Sequence, residues 1–338
     1  MIQVAVNGFG VIGRRTADAV AKQPDMKLVG IGKTKPDYKA RVAAGKGYKF
    51  FVPKKDHQGI FSDAGIETSG TIDEMIEEAD IIVDATPDNI GILNKGLYQK
   101  IGKPALFQGG QKHDIADLSF VAECNYDQAQ GKRFVRVVSC NTTGLCRVLS
   151  PLDKSFGVRR ARAVLTRRAA DPDDTKSGPI DAISLDPVTI PSHHGPDVMT
   201  VLPKIEVITM AMKIPTTHMH LHSLIVSLNE SNLTQDRINE TFVEAERVRL
   251  VSSADGVRST AQVMDYAREL GRDRGDMYEN IIWSDSVTVF DEEVYFFMGV
   301  HQESIVIPEN IDAIRAIFGT SSKEESISLT NTTLAIPH

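Results

Sequence analysis

Short apolar runs alternate with amphipathic stretches along the first 139 residues, a rhythm that predicts a parallel sheet flanked by helices. Ile2 to Val6 reads as a strand, Arg14 to Lys22 as a helix and Met26 to Gly32 as a second strand. Asp80–Pro87 and Pro104–Gly110 read as buried strands running into polar turns. Thr86, Gln108, Gly109 and Gly110 then fall at the carboxyl edge of the sheet, where an open α/β sheet holds its ligand. After residue 140 the texture changes. Long β-rich runs, Ala161–Arg168, Ile205–Lys213 and His218–Leu228, have few helices between them and predict a mostly antiparallel second sheet. A helical pattern returns at Pro308–Ile314, its proline suited to a first turn.

The turn after the first strand, Asn7-Gly8-Phe9-Gly10-Val11-Ile12-Gly13, carries a glycine triplet between strand and helix. Gly8, Gly10 and Gly13 allow a tight turn, close approach of backbone to a pyrophosphate and close helix packing, with the phosphates on the helix N-terminus. A Rossmann dinucleotide-binding domain is therefore expected at the N-terminus, followed by an α+β catalytic domain. At the end of the second strand an NAD-specific fold carries an acid for the ribose hydroxyl. This chain has Lys33-Thr34-Lys35. Lys33 and Thr34 suit a 2'-phosphate, so NADP is expected to bind at least as well as NAD.

Candidate chemistry sits where Phe134–Val138 gives way to a helical pattern beginning near Thr142, in Ser139-Cys140-Asn141-Thr142-Thr143-Gly144. The dipole and free N–H groups of a helix N-terminus favour a thiolate, the reactive form of cysteine. Cys140 is thus the candidate nucleophile; the alternative is a small buried core residue. Cys146 reads as core, and Cys124 has no strand-to-helix context. With no Cys-x-x-Cys pair, neither a zinc ribbon nor a disulfide framework is expected. On a strand, His218, His220 and His222 would share one face. Such a face could hold zinc, supply an acid-base partner for Cys140, or simply pack. No carboxylate or cysteine cluster with ligand spacing supports zinc, and no metal is expected.

Length and charge narrow the class. The 338 residues exceed what one core serves, so two domains are expected. A formal charge of -7 argues against a nucleic-acid partner, and the clusters Arg159-Arg160-Ala161-Arg162 and Arg167-Arg168 read as small anion sites or subunit contacts. No apolar run approaches the roughly 20 residues of a membrane span, and the chain enters its first strand without a signal-peptide pattern. A cytoplasmic protein with no membrane partner is expected.

These motifs, with Asp84-Ala85-Thr86-Pro87, Gln108-Gly109-Gly110, Arg167-Arg168-Ala169, His193-His194-Gly195, Pro215-Thr216-Thr217, Met219-His220-Leu221-His222 and His301-Gln302-Glu303-Ser304, together resemble archaeal-type phosphorylating glyceraldehyde-3-phosphate dehydrogenase over essentially the whole chain. The resemblance implies an NAD(P)-binding domain of residues 1–139 with 303–338, a catalytic domain of residues 140–302, and a homotetramer. It implies Cys140 as the nucleophile that forms a thiohemiacetal and then a thioester, with His220 as its acid-base partner in an ion pair that lowers the thiol pKa. Val11 and Ile12 would lie under the cofactor pyrophosphate, with Gly110 and Gln302 near the rest of the dinucleotide. Ser139, Asn141, His194 and Gly195 would line glyceraldehyde 3-phosphate or inorganic phosphate. Arg168 would bind an anion beside cofactor and substrate, and Arg167 with His193-His194 favours phosphate-like groups. Two other readings remain at this stage: an aspartate-semialdehyde dehydrogenase-like oxidoreductase forming an acyl phosphate, and a non-catalytic NADP-binding regulator.

Overall fold

The fully parallel sheet foreseen in the N-terminal half is present in the computed structural model, which describes residues 1–87, 89–108, 110–171 and 177–337. Its strands run in the order Gly70–Thr71, Phe50–Val52, Met26–Gly32, Ile2–Asn7, Ile81–Asp84, Ala105–Phe107, Phe134–Val137 and Leu118–Phe120. Every pairing is parallel among the described residues, so the central strands are buried on both faces and read as continuous apolar runs. Ala5, Val29, Phe51, Ile82, Phe107 and Phe134 meet in one apolar cluster.

Two compact units divide the chain: Met1–Val138 with Ile307–Leu334, and Ser139–Val306 with the residues from Ala335. The return to the first unit thus starts at Ile307 rather than at 303, because Glu303 is tied to Arg168. The last residues group with the second unit, where the Ala335 carbonyl accepts from Arg272 at 3.3 Å. In the first unit the helix Ile307–Phe318 is anchored by the buried guanidinium of Arg315, which reaches both carboxylate oxygens of Asp25 at 2.8 Å and Gln23 at 2.7 Å. The Arg315 hydrogen bond holds the Asp25 carboxyl below its ordinary pKa despite the opposing effect of burial.

The second sheet runs Ser184–Leu185, Glu206–Ile214, Val158–Arg168, His220–Leu228, Glu293–Val300, Asn280–Trp283, Val248–Val251, with Thr288–Phe290 beside Glu293–Val300. Its pairings are antiparallel except Val158–Arg168 with Glu206–Ile214, and Val248–Val251 with Asn280–Trp283. Ala161, Ala163 and Leu165 alternate into the core along the long strand. The helix Cys140–Phe156 lies on this sheet. Its Gly144 carbonyl accepts from Asn280 at 2.7 Å, and a side chain at Gly144 would come within 2.8 Å of Val300. That close approach sets the depth at which the helix start, with Cys140, meets the strand starting at His220.

Arg159, Arg160 and Arg162 pair with Glu292 at 3.4 Å, Glu206 at 2.7 Å and Glu293 at 2.9 Å, so two neighbouring strands and a turn supply them with counter-charges.

Candidate active site

In the first unit, the glycine turn has the geometry a pyrophosphate requires. Gly8 has φ +98°, and a side chain there would lie 2.6 Å from the Ala85 carbonyl oxygen. One at Gly13 would lie 1.9 Å from the Gly8 carbonyl oxygen, whereas Gly10 faces open space. Val11 and Ile12 open the helix Val11–Ala21, whose N-cap Gly10 makes no side-chain cap and whose first turn holds no acid. The leading N–H groups are left for an anion, and Arg14, one turn in, keeps its Nε buried without a hydrogen-bond partner. These residues fit a dinucleotide. Gly110 lies in the exposed turn after Ala105–Phe107, and Gly109 is outside the described residues.

Lys33 is not the isolated ammonium its local sequence suggests. Its Nζ sits 2.7 Å from the Asp37 carboxylate, which also caps the helix Tyr38–Gly45 by accepting from the Ala40 N–H. Burial raises the Asp37 carboxyl pKa, but the hydrogen bonds from Lys33 and Ala40 outweigh it and the carboxyl ends below its ordinary value. An acid is therefore present beside the second strand after all. Its signal was an Asp four residues past Lys33 and just before a helix. Thr34 is exposed.

In the second unit, Cys140 is the first residue of its helix, and Ser139 is the N-cap, its Oγ accepting from the Thr142 N–H at 3.2 Å. The Thr142 hydroxyl donates to Asp197 at 2.6 Å, so Ser139 in turn donates to Thr142 at 2.8 Å. The hydroxyl of Ser139, expected against substrate, also builds the helix start and keeps one acceptor lone pair. Cys140 Sγ lies 3.7 Å from Nε2 of His220, the first residue of its strand and fully buried. Cys146 is core and Cys124 is half-buried.

The expected thiolate-imidazolium pair is not what this environment favours. The thiol keeps some exposure, yet burial pushes its pKa up to about 11, against the lowering effects of Arg167, Arg168 and the Asn141 N–H. Burial, with His222 and the two arginines, drives the His220 imidazolium well below its ordinary range. The hydrogen bonding agrees: the backbone N–H of Arg168 donates to Nδ1 of His220 at 2.9 Å. A ring nitrogen that accepts an N–H carries no proton, so the neutral ring bears its hydrogen on Nε2, facing Cys140.

The three-histidine face is reduced to two. Met219 has φ 45°, which breaks strand alternation and leaves His218 exposed before the strand begins. His220 and His222 remain on one face, their rings 6.2 Å apart and 12° from parallel. His222 meets Asn141, its Nε2 3.0 Å from Oδ1. Burial pushes the His222 pKa down to about 3, with Arg167 adding to it.

The remaining expected residues gather nearby. His194 is 2% exposed, neither ring nitrogen has a partner, and burial lowers its pKa to about 2. Gly195 donates its N–H to Thr209 at 2.9 Å. Arg167 pairs with Asp186 but keeps its Nε buried and unpartnered. Arg168 reaches Gln302 at 2.7 Å and Glu303 at 2.8 Å and also pairs with Asp171. Its guanidinium, expected to meet an anion, is thus already met by two carboxylates. Asp186, Asp171 and Glu303 lie far from their partners in sequence or in irregular segments, and only the adjacency of Glu303 to Gln302 hinted at one of them.

A glycine turn on a parallel sheet in one unit, and in the other a helix-start cysteine against a buried histidine, define the class of nicotinamide-dependent dehydrogenases that work through a cysteine. Residues 139–296 match the family described as glyceraldehyde 3-phosphate dehydrogenase, C-terminal domain. The chain is 53% identical over 336 residues to the glyceraldehyde-3-phosphate dehydrogenase of Methanococcoides burtonii, with 99% of each covered. It is 51% identical over 336 residues to that of Sulfurisphaera tokodaii, with 99% of this chain and 97% of the relative covered. The Methanothermus fervidus enzyme is 50% identical over 337 residues, with 99% of each covered. The chain belongs to the glyceraldehyde-3-phosphate dehydrogenase family.

Proposed function

We propose that this protein oxidises D-glyceraldehyde 3-phosphate to 1,3-bisphosphoglycerate with NAD(P)+ and inorganic phosphate, Cys140 carrying the substrate covalently. The approach of Cys140 Sγ to within 3.7 Å of His220 Nε2 at a helix N-terminus is the observation that carries this reading. As the thiol adds to the aldehyde, the S–C bond forms and the sulfur's proton ends on the aldehyde oxygen, giving a thiohemiacetal. A neutral His220 with its hydrogen on Nε2 supports that oxygen by donating to it. A bound nicotinamide would supply the hydride acceptor, so that loss of hydride from the thiohemiacetal carbon would leave a thioester on Cys140, with the hydroxyl proton passing to solvent. Phosphate attack on the thioester releases the acyl phosphate and the free thiol.

Ser139, Asn141, Arg167, His194 and Gly195 are assigned to substrate or phosphate, with the unpartnered nitrogens of His194 and Arg167 supporting anion binding there. Gly8, Gly10, Val11, Ile12, Gly13 and Gly110 are assigned to the dinucleotide, Gln302 and Arg168 to its surroundings, and Lys33 with Thr34 to a 2'-phosphate, so that NADP binds at least as well as NAD. The first unit is read as the cofactor domain and the second as the catalytic domain of a cytoplasmic homotetramer. Phosphate-dependent formation of NAD(P)H from glyceraldehyde 3-phosphate tests the function. Its absence, or full activity in Cys140→Ser, would refute it.

A further inference from the structure

His222 has no part in the chemistry above, yet it is fully buried one strand step from His220 and its ring lies nearly parallel to that of His220. The strand presents two imidazoles at i and i+2, and the start of the helix presents two consecutive residues to them. His220 meets Cys140 at 3.7 Å and His222 meets Asn141 at 3.0 Å. Because burial and Arg167 keep His222 neutral, and Asn141 Oδ1 is an acceptor only, Nε2 carries the hydrogen and donates it. This fixes which end of the Asn141 carboxamide is used. The other end, Nδ2, is buried with no hydrogen-bond partner, in a residue that is 1% exposed. Folded proteins rarely leave a buried amide with two unused donors, and such an orphan beside a nucleophile marks a place where a ligand completes the bonding.

We infer that His222 is a positioning residue: by holding Asn141 through Oδ1 it keeps both Nδ2 hydrogens available for the substrate-derived oxygen on the carbon bonded to Cys140. Without His222 the carboxamide is free to turn and present its oxygen instead, which would repel that oxygen as it gains negative charge. The inference rests on Cys140 being the nucleophile.

The test is a double-mutant cycle in the intact enzyme with Asn141→Ala, His222→Leu and the pair, and with His222→Gln as the conservative variant whose amide can still donate to Oδ1. A donor used as charge develops should lower kcat and kcat/KM together, by roughly a hundredfold for Asn141→Ala. His222→Leu should lose between about tenfold and a hundredfold. The double variant should be no worse than Asn141→Ala, since His222 acts only through that amide, and His222→Gln should recover most of the loss. Alkylation of Cys140 by iodoacetamide should keep its rate in all variants. Losses that multiply in the double variant, or a His222→Gln as poor as His222→Leu, would overturn the inference. Should His222→Leu fail to fold, His222→Ala takes its place in the cycle and decides on the same criterion. Mass spectrometry of wild type after glyceraldehyde 3-phosphate and NADP+ without phosphate separates the two readings. An acyl group on Cys140 leaves the kinetics to judge His222, and its absence would remove the nucleophile reading itself.

Discussion

The backbone N–H of Arg168 donates to Nδ1 of His220 across 2.9 Å, and this one bond sets which proton the imidazole can offer. Protonating Nδ1 would place two N–H groups against each other in a fully buried site, so the ring is held neutral with Nε2–H toward Cys140. His220→Asn should therefore lower turnover by roughly a hundredfold or more, as for a lost donor to a developing oxyanion. His218→Asn should have little effect. Comparable losses at both positions in steady-state assays would contradict the placement of His218 outside the site.

A second consequence concerns pH. Because burial holds the pKa of His220 well below its ordinary 6.5 and its Nδ1 already accepts the Arg168 N–H, the ring should not gain a proton as the pH falls through 6.5. The acid limb of kcat/KM in His220→Gln should then match that of wild type, whatever group produces it. Loss of an ionisation near pH 6.5 in the variant alone would show that the imidazole titrates there.

Cys140 should alkylate slowly at neutral pH in the free enzyme. With burial holding the thiol near a pKa of about 11, the thiolate fraction grows about tenfold for each pH unit up to that value. The logarithm of the iodoacetamide rate should climb steadily from pH 7 to pH 10, with the label on Cys140 and parallel loss of activity. A plateau below pH 8 would instead reveal a depressed thiol and restore the ion pair.

Cofactor choice should respond to the pair Lys33 and Asp37 from both sides. Replacing Lys33 with Ala should weaken NADP+ by roughly 1.5 to 3 kcal/mol, the usual range for a hydrogen bond to a charged group, with little change for NAD+. Asp37→Ala, which frees the ammonium, should shift preference toward NADP+. Fluorescence titrations with both dinucleotides decide this, and an unchanged NADP+ affinity in Lys33→Ala would place the 2'-phosphate elsewhere.

The glycines of the turn should separate folding from binding. Gly13→Ala puts a methyl 1.9 Å from a carbonyl oxygen and should lower Tm by more than about 2 °C. Gly10→Ala, in open space, should keep its Tm while weakening both dinucleotides. A destabilised Gly10→Ala with unchanged cofactor affinity would show that the open space is not where the pyrophosphate lies.

Much of this molecule could be read locally. The strand Ile2–Asn7, its glycine turn and the helix after it follow from an apolar run and residues whose backbone needs are specific. Cys140 at a helix start follows equally from the change of periodicity after Val138. Such features depend on neighbours a few positions away, which any sequence displays. Tertiary structure decided the rest. A left-handed Met219 removed His218 from a face that simple alternation had granted it. Asp171 and Glu303 met the guanidinium of Arg168, and Asp186 met that of Arg167, leaving its buried Nε open to an anion. The thiol pKa rose because desolvation depends on everything packed around Cys140, while the helix start seen in the sequence supplies only one of the opposing effects. Pairing, burial and protonation are set by atoms distant along the chain, and only the folded arrangement brings Arg168 to Nδ1 of His220 and Asn141 to His222.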